Sequence, residues 1–473
     1  MMSRRAGSLT EGLIHRRDLL RVGSLSLAAA AVPAALARGA AVGKAKAESV
    51  VFLWMAGGVT HIDSFDPKPR APVEVRGILE DIATNMPGVR FCETLPHLAQ
   101  IADKLAVVRN YSHDSDDHLL SQVFTLSGRK VDATRLFTEP NIGSIVAHLQ
   151  GPRAGLPGYI AVPGITRPGP PPHNLFVGGW LGSQYVPYAL GGLPEQPDFA
   201  VGEKLYDPPA LAEEDLVPRS LALPDEVPLA RLDRRVALRQ QFDRALARLE
   251  KLDALAGVDG QFDNALRLLS RPAIRQAFEL SQESDEVRER YGRTKIGGRC
   301  LMARRLVEAG ARFVMVDYGY DPDYGNVWDN HNAAVQNHPP IQQMVKRGYH
   351  LAGMDRAFAA LIRDLDERGR LDSTLVVFVT EFGRTPRINA NGGRDHWGRA
   401  GSLFFTGGGT RVGQVIGETD DHAARPLGHR YSPADIAATL YAALGVDHHR
   451  VLYDFQDRPR LVLDEGEPIA ELF

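Results

Sequence analysis

Short apolar runs that end in glycine or in a polar group recur along the chain. Residues 49–54 (SVVFLW) are apolar at nearly every position and run into Gly57-Gly58. That is the pattern of a strand buried on both faces and entering a glycine turn. Leu95, Leu98, Ile101 and Leu105 fall at helical spacing, which predicts a capped amphipathic helix over 94–105. Residues 106–109 read as a second strand, 111–118 as a polar loop, and 118–126 as a helix closed by Gly128. Strand, helix, strand, loop, helix is the order of an α/β domain.

The middle of the chain breaks this rhythm. Residues 151–174 are rich in proline and glycine and predict an irregular surface segment with one strand at 159–162. Trp180, Tyr185 and Tyr188 either pack onto the core or line a substrate mouth. Residues 233–254 predict a long helix, with Val236, Phe242, Leu246 and Leu249 on one side and charges on the other. With 262–269 and 274–279 it forms a helical insertion at about 233–292. Alternation then resumes with a helix over 300–310, a strand over 312–317, a helix over 350–368 and strands at 373–380 and 402–406. Ser432-Pro433-Ala434-Asp435 starts a helix that stops at Gly445, with Ser as cap and Pro at the first helical position. The insertion therefore interrupts one α/β domain and does not separate two.

The N-terminus reads as an address. Arg16-Arg17 precedes the alanine-rich run 22–37, which ends in Ala35-Leu36-Ala37, the form of a twin-arginine signal with its cleavage site. Residues 1–37 are then the signal and 38–473 the domain, with an uncleaved anchor as the alternative. The run is short for a bilayer and no other stretch qualifies, so the mature chain is expected to carry no stable membrane span. The expected compartment is periplasmic or secreted, and the export partner is the twin-arginine translocon. The 55 basic and 58 acidic residues are interspersed, for a net charge of −3, which excludes a nucleic-acid surface. Cys92 and Cys300 lie far apart, so disulfides do not define the fold.

Candidate chemistry gathers after the strands. His61 and Asp63 follow the first, Asp329 and His331 follow 313–318, Glu381 follows 374–380, and Asp395-His396 lies shortly beyond. Strand ends in an α/β sheet share a crevice, and carboxylate with imidazole is the ligand set of a hard-to-borderline divalent metal. His61, Asp63, Asp329, His331, Glu381 and His396 are the expected ligands, with Asp395 orienting the ring of His396. The metal is zinc, manganese, magnesium or calcium, and one ion or two would suit this number of ligands. Arg384 either binds a substrate oxyanion or pairs with Glu381. His113 and His118 flank a polar loop entering a helix, where an anion can dock, and are candidate general acids or bases. Gly57 and Gly58 allow backbone amides to approach an anion closely.

Phe52-Leu53-Trp54-Met55-Ala56-Gly57-Gly58, His61-Ile62-Asp63-Ser64-Phe65-Asp66-Pro67, Trp328-Asp329-Asn330-His331, Thr380-Glu381-Phe382-Gly383-Arg384-Thr385-Pro386 and Gly393-Arg394-Asp395-His396-Trp397 together resemble the DUF1501 family. The resemblance covers nearly the whole mature chain and implies a fold similar to alkaline phosphatases and sulfatases, a mostly parallel sheet flanked by helices. It also implies that the nucleophile position of those enzymes falls at or near His118. The chain has no Cys-x-Pro-x-Arg, so a formylglycine nucleophile is not expected. The function implied is metal-dependent hydrolysis of a phosphate or sulfate ester, carried by a small anionic or polysaccharide-type substrate. The alternative is a non-catalytic exported protein that keeps the fold and binds metal or ligand.

Overall fold

Alternate residues of Ser49–Trp54 (β1) face opposite sides of a sheet. Val51 and Leu53 enter one core, Val50, Phe52 and Trp54 the other, and all of the strand is buried. The computed structural model describes residues 47–164, 175–191, 276–321, 323–331 and 338–473. The twin-arginine segment, the helices expected at 233–254 and 262–269, and most of the insertion lie outside these residues.

Seven further strands join β1: Ala106–Tyr111 (β2), Tyr159–Gly164 (β3), Tyr188–Gly191 (β4), Phe313–Asp317 (β5), Thr374–Val379 (β6), Gly401–Gly407 (β7) and Gln414–Ile416 (β8). Their order across the sheet is β8-β2-β7-β6-β1-β5-β3-β4. Only β7 runs antiparallel to its neighbours, β2 and β6. Lys295–Glu308 (α3) and Leu351–Glu367 (α4) cover one face. His118–Ser127 (α1), Ile142–Gln150 (α2) and Pro433–Ala443 (α5) cover the other. Burial on both faces is why the strands read as continuous apolar runs. The expected mostly parallel sheet flanked by helices is thus what the chain forms.

Local signals hold where a terminus is specified chemically. Ser432 and Asp435 make the expected reciprocal capping box at the start of α5. Gly128 ends α1 at φ 74°, the left-handed conformation that favours glycine. The helix expected over 94–105 is instead broken into Pro96–Ala99 and a turn at Ala102–Lys104. Its apolar residues are still buried, because two short turns place them on the same face. The cap comes from across the core, where Asp355 of α4 accepts from the N–H groups of His97 (2.9 Å) and Leu98 (2.7 Å). Thr94 turns away and donates to the Asp63 carbonyl at 2.6 Å. Cys92 and Cys300 are both buried and free. Among the described residues no helix is long and apolar enough to cross a membrane.

Candidate metal centre

The C-terminal ends of β1, β2, β5 and β6 deliver the Gly57-Gly58 turn, His118, Asp329 and Glu381 to one place. His118 opens α1, whose first turn is fixed by Asp117 accepting from Leu120 N–H at 2.9 Å. His396 arrives differently. It lies on a two-stranded ribbon, His396–Trp397 against Gly383–Arg384, in which His396 is opposite Arg384.

Glu381 is fully buried and its carboxylate is saturated. Gly57 N–H donates to both oxygens at 2.8 and 2.9 Å, and Gly58 N–H to Oε2 at 3.2 Å. Thr380 Oγ1 and Gln122 Nε2 add contacts at 3.2 and 3.1 Å, and His118 Nδ1 lies 2.8 Å from Oε1. Burial alone would raise its pKa, but the bond to His118 and the other donors hold it below the usual value. The glycine turn does receive an anion, and that anion is this side chain. Only glycine fits there: Gly57 and Gly58 sit at φ 124° and 85°, and a Cβ on Gly58 would meet Phe382 at 2.6 Å.

Because Glu381 takes Nδ1 of His118, the other nitrogen is turned outward. His118 Nε2 is buried without a hydrogen bond, 3.4 Å from Asp329 Oδ2. Burial lowers the pKa of His118, but Asp329 and Glu381 outweigh that and bring it up to about 9. His396 repeats the arrangement, with Nδ1 3.0 Å from the Asp116 carbonyl and Nε2 3.1 Å from Asp329 Oδ1. Phe382 packs against both rings, with centroids 5.0 Å from His118 and 5.1 Å from His396. Asp329 Oδ1 also faces His331 Nδ1 at 2.7 Å and accepts from Arg384 at 2.8 Å. Burial would raise the Asp329 pKa, but Arg384 and His118 hold it well below the carboxylate range.

Each of these two imidazoles thus has an acceptor at both nitrogens. A carbonyl cannot donate, so Nδ1 of His396 carries the proton and Nε2 presents a lone pair to a carboxylate. Burial lowers the pKa of His396, which keeps a second proton off it. One ligand atom each from His118, Asp329 and His396 lies within 4.8 Å of the others. A divalent cation at that point would displace the second proton of His118 and satisfy both Nε2 atoms and Asp329 together, so the residues fit a divalent metal. Glu381 and the Asp116 carbonyl would fix the rings in the way ligating histidines are held.

The remaining expected residues are placed as follows. Glu381 stands behind His118, spent on its own donors. His331 borders the cluster and is its most exposed imidazole, at 38%. His61 and Asp63 are not brought in. His61 Nε2 bonds the Ala423 carbonyl at 2.8 Å, and Asp63 forms a buried bidentate pair with Arg394 at 2.8 and 3.0 Å. They follow β1 as the sequence suggests, but the glycine turn carries the chain past the cluster. His113 is held at both nitrogens, by the Glu381 carbonyl at 2.5 Å and Ser115 N–H at 3.2 Å. Arg384 is buried and spends its donors on Asp329 and on the Gly57, Gly58, Trp328 and Arg394 carbonyls. Asp395 accepts from Asn389 at 2.9 Å, and Asp116 orients His396 in its place. Sequence reasoning missed Gln122, Asp116 and Phe382. Gln122 had a signal, since it lies one helical turn after His118 on the same face.

A mostly parallel sheet with imidazoles and a carboxylate converging at its strand ends defines an α/β protein with a candidate divalent-metal centre. The chain belongs to the DUF1501 family, described as of unknown function, whose model matches residues 47–473. Among solved structures it is similar to the phosphonate monoester hydrolase SpPMH from Silicibacter pomeroyi, at 11% identity and a TM-score of 0.37, covering 90% of this chain and 76% of that one. It is also similar to the PsFucS1 sulfatase from Pseudoalteromonas sp., at 13% identity and a TM-score of 0.35, covering 91% and 72%. A third is Ps i-CgsB in complex with k-i-k-neocarrahexaose, at 12% identity and a TM-score of 0.35, covering 85% and 72%. No curated protein matches the chain.

Proposed function

We propose that this chain is an exported, metal-dependent hydrolase of phosphate or sulfate esters that uses no formylglycine nucleophile. One observation carries the reading: two imidazoles whose Nδ1 atoms are tied down turn their Nε2 atoms toward one buried carboxylate. His118, Asp329 and His396 would hold the metal. When bound, it would supply an activated water and offset charge on the transferring group. Export is read from Arg16-Arg17 ahead of the apolar run 22–37.

The chain's own residues divide the remaining work. Glu381 and the Asp116 carbonyl fix the ring orientations, and Phe382 excludes water behind the rings. Asp329 holds Nδ1 of His331, so Nε2 of that exposed ring carries the lone pair of a general base. A water nucleophile suits a cluster in which the helix-start position is occupied by His118 and not by a hydroxyl or thiol. The test is hydrolysis of aryl phosphate and aryl sulfate esters by metal-loaded protein beside His331→Gln. The reading requires turnover that falls about a hundredfold or more in the variant, the size of a lost general base.

A second reading has its own support. His113, Glu381 and Arg384 are all spent on internal hydrogen bonds, which favours a metal-binding protein without catalysis. Metal bound stoichiometrically with no turnover of either ester class would select it.

A further inference from the structure

A groove of about 360 Å³ is walled by Arg399, Arg425 and Arg430, with Asp114 the carboxylate on its lining. The chain has a net charge of −3, so three guanidiniums around one groove are a local concentration and not a reflection of composition. Arg430 pairs with Asp114 at 3.1 Å, and Asp420 reaches Arg425 at 3.5 Å. Arg399 lies over the Trp397 ring, 5.2 Å from its centroid, and makes no ion pair among the described residues. One positive charge is left uncompensated.

The backbones that present these side chains are pinned. Trp397 Nε1 donates to the Ala424 carbonyl at 2.7 Å, beside Arg425, and Asp420 N–H donates to the Arg425 carbonyl at 3.0 Å. Tyr431, next to Arg430, exchanges backbone hydrogen bonds with Asn110 and Ser112 at 3.0 and 2.9 Å, at the end of β2. The groove and the metal centre are also built from the same two segments. The 112–118 segment gives Asp114 to the groove and His118 to the centre; the 396–399 segment gives Arg399 and His396. Asp116 joins the segments, accepting from Gly398 N–H at 2.6 Å through Oδ1 and holding His396 through its carbonyl.

We propose that this groove is an oxyanion subsite for a second phosphate or sulfate group of the same substrate, which is therefore a multiply phosphorylated or sulfated molecule outside the nucleic acids and not a lone monoester. The inference rests on the hydrolase reading of the metal centre. Guanidinium forks match tetrahedral oxyanions with paired donors. Among the described residues no aromatic side chain lines the groove, so it lacks the stacking platform that single-stranded nucleic acid uses.

The experiment is calorimetric binding of a sulfated hexasaccharide to the full chain at two salt concentrations. Wild type is compared with Arg399→Ala/Arg425→Ala and with the charge-keeping Arg399→Lys/Arg425→Lys. The alanine pair should weaken binding by about tenfold or more and flatten its salt dependence, with metal content and thermal midpoint unchanged; the lysine pair should recover part of the loss. Equal affinity in wild type and the alanine pair would overturn the subsite. So would inorganic sulfate or phosphate binding as tightly as the hexasaccharide, which marks a free-anion site. Tighter, arginine-dependent binding of single-stranded DNA would overturn the exclusion of nucleic acid. Arginine-dependent glycan binding without any ester turnover would sustain the subsite and strike the hydrolase reading alone.

Discussion

His118 Nδ1 lies 2.8 Å from Glu381 Oε1, and this contact decides which face of the imidazole meets Asp329. Glu381 is itself fixed by the backbone of the β1 turn, so the turn after one strand sets the orientation of a ligand delivered after another. Glu381→Gln keeps the shape but replaces one acceptor with a donor facing Gly57, Gly58 or His118. Metal affinity should fall about 10–100-fold, as expected when the partner that orients a ligating histidine is changed. Calorimetric titration with zinc and manganese measures it, and unchanged affinity would remove Glu381 from the account.

Gly57 should be intolerant of any side chain. It sits at φ 124°, and an added Cβ would meet Trp328 Cβ at 2.9 Å. Gly57→Ala is expected to cost about 2–5 kcal/mol from backbone strain plus overpacking. Gly88→Ala is the control: φ 80° with nothing within 4 Å of the new Cβ, so only about 1–2 kcal/mol of left-handed strain is at stake. Urea unfolding compares them. Equal losses would mean that the Trp328 contact is not tight.

Asp63 belongs to the scaffold in this structure, paired with Arg394 where both are 1% exposed or less. Asp63→Asn leaves a buried guanidinium short of its counter-charge and should cost about 3–5 kcal/mol. Metal bound per folded molecule should not change. If elemental analysis of the folded variant shows metal lost while the protein remains native by circular dichroism, Asp63 is a ligand after all.

Acid should loosen the fold through His350. Its ring is fully buried, with Nε2 3.1 Å from Asn330 Oδ1, and burial pushes its pKa down from 6.5 to about 3. Above pH 6.5 native and unfolded chains both hold the neutral ring and stability is complete. Between pH 6.5 and 3 the unfolded chain takes up a proton the native state refuses, so stability falls by up to about 1.4 kcal/mol per pH unit from this group. His350→Gln should lower stability at pH 7 yet remove that slope. Denaturation midpoints at pH 7, 6, 5 and 4 check it, and parallel slopes in both proteins would show that His350 does not titrate on unfolding.

The apolar runs made the sheet legible, because strands buried on both faces leave little room for polar residues. Ser432 and Gly128 were readable for a similar reason: each terminus carries its own cap. The break inside 94–105 was not readable, since its cap, Asp355, comes from a helix more than 250 residues later. In the site, the residue types and positions of Asp329, Glu381 and His396 pointed to one shared crevice, and the structure brings the three together. Their division of labour did not show. Equal spacing made His61/Asp63 look like Asp329/His331, yet a two-glycine turn and the partner Arg394 send the first pair elsewhere. Arg384 looked available to substrate because its carbonyl partners carry no sequence signature. Asp116 was invisible for the same reason, since it acts on His396 through its main chain.

The most direct test of the centre is zinc and manganese titration of the purified protein, with elemental analysis, beside His118→Ala, Asp329→Ala and His396→Ala. Asp63→Asn serves as the folded control. The account predicts stoichiometric metal in the wild type and in Asp63→Asn, and its loss in each of the other three. No metal in the wild type, or equal metal in all variants, would contradict the convergence of His118, Asp329 and His396 on one ion.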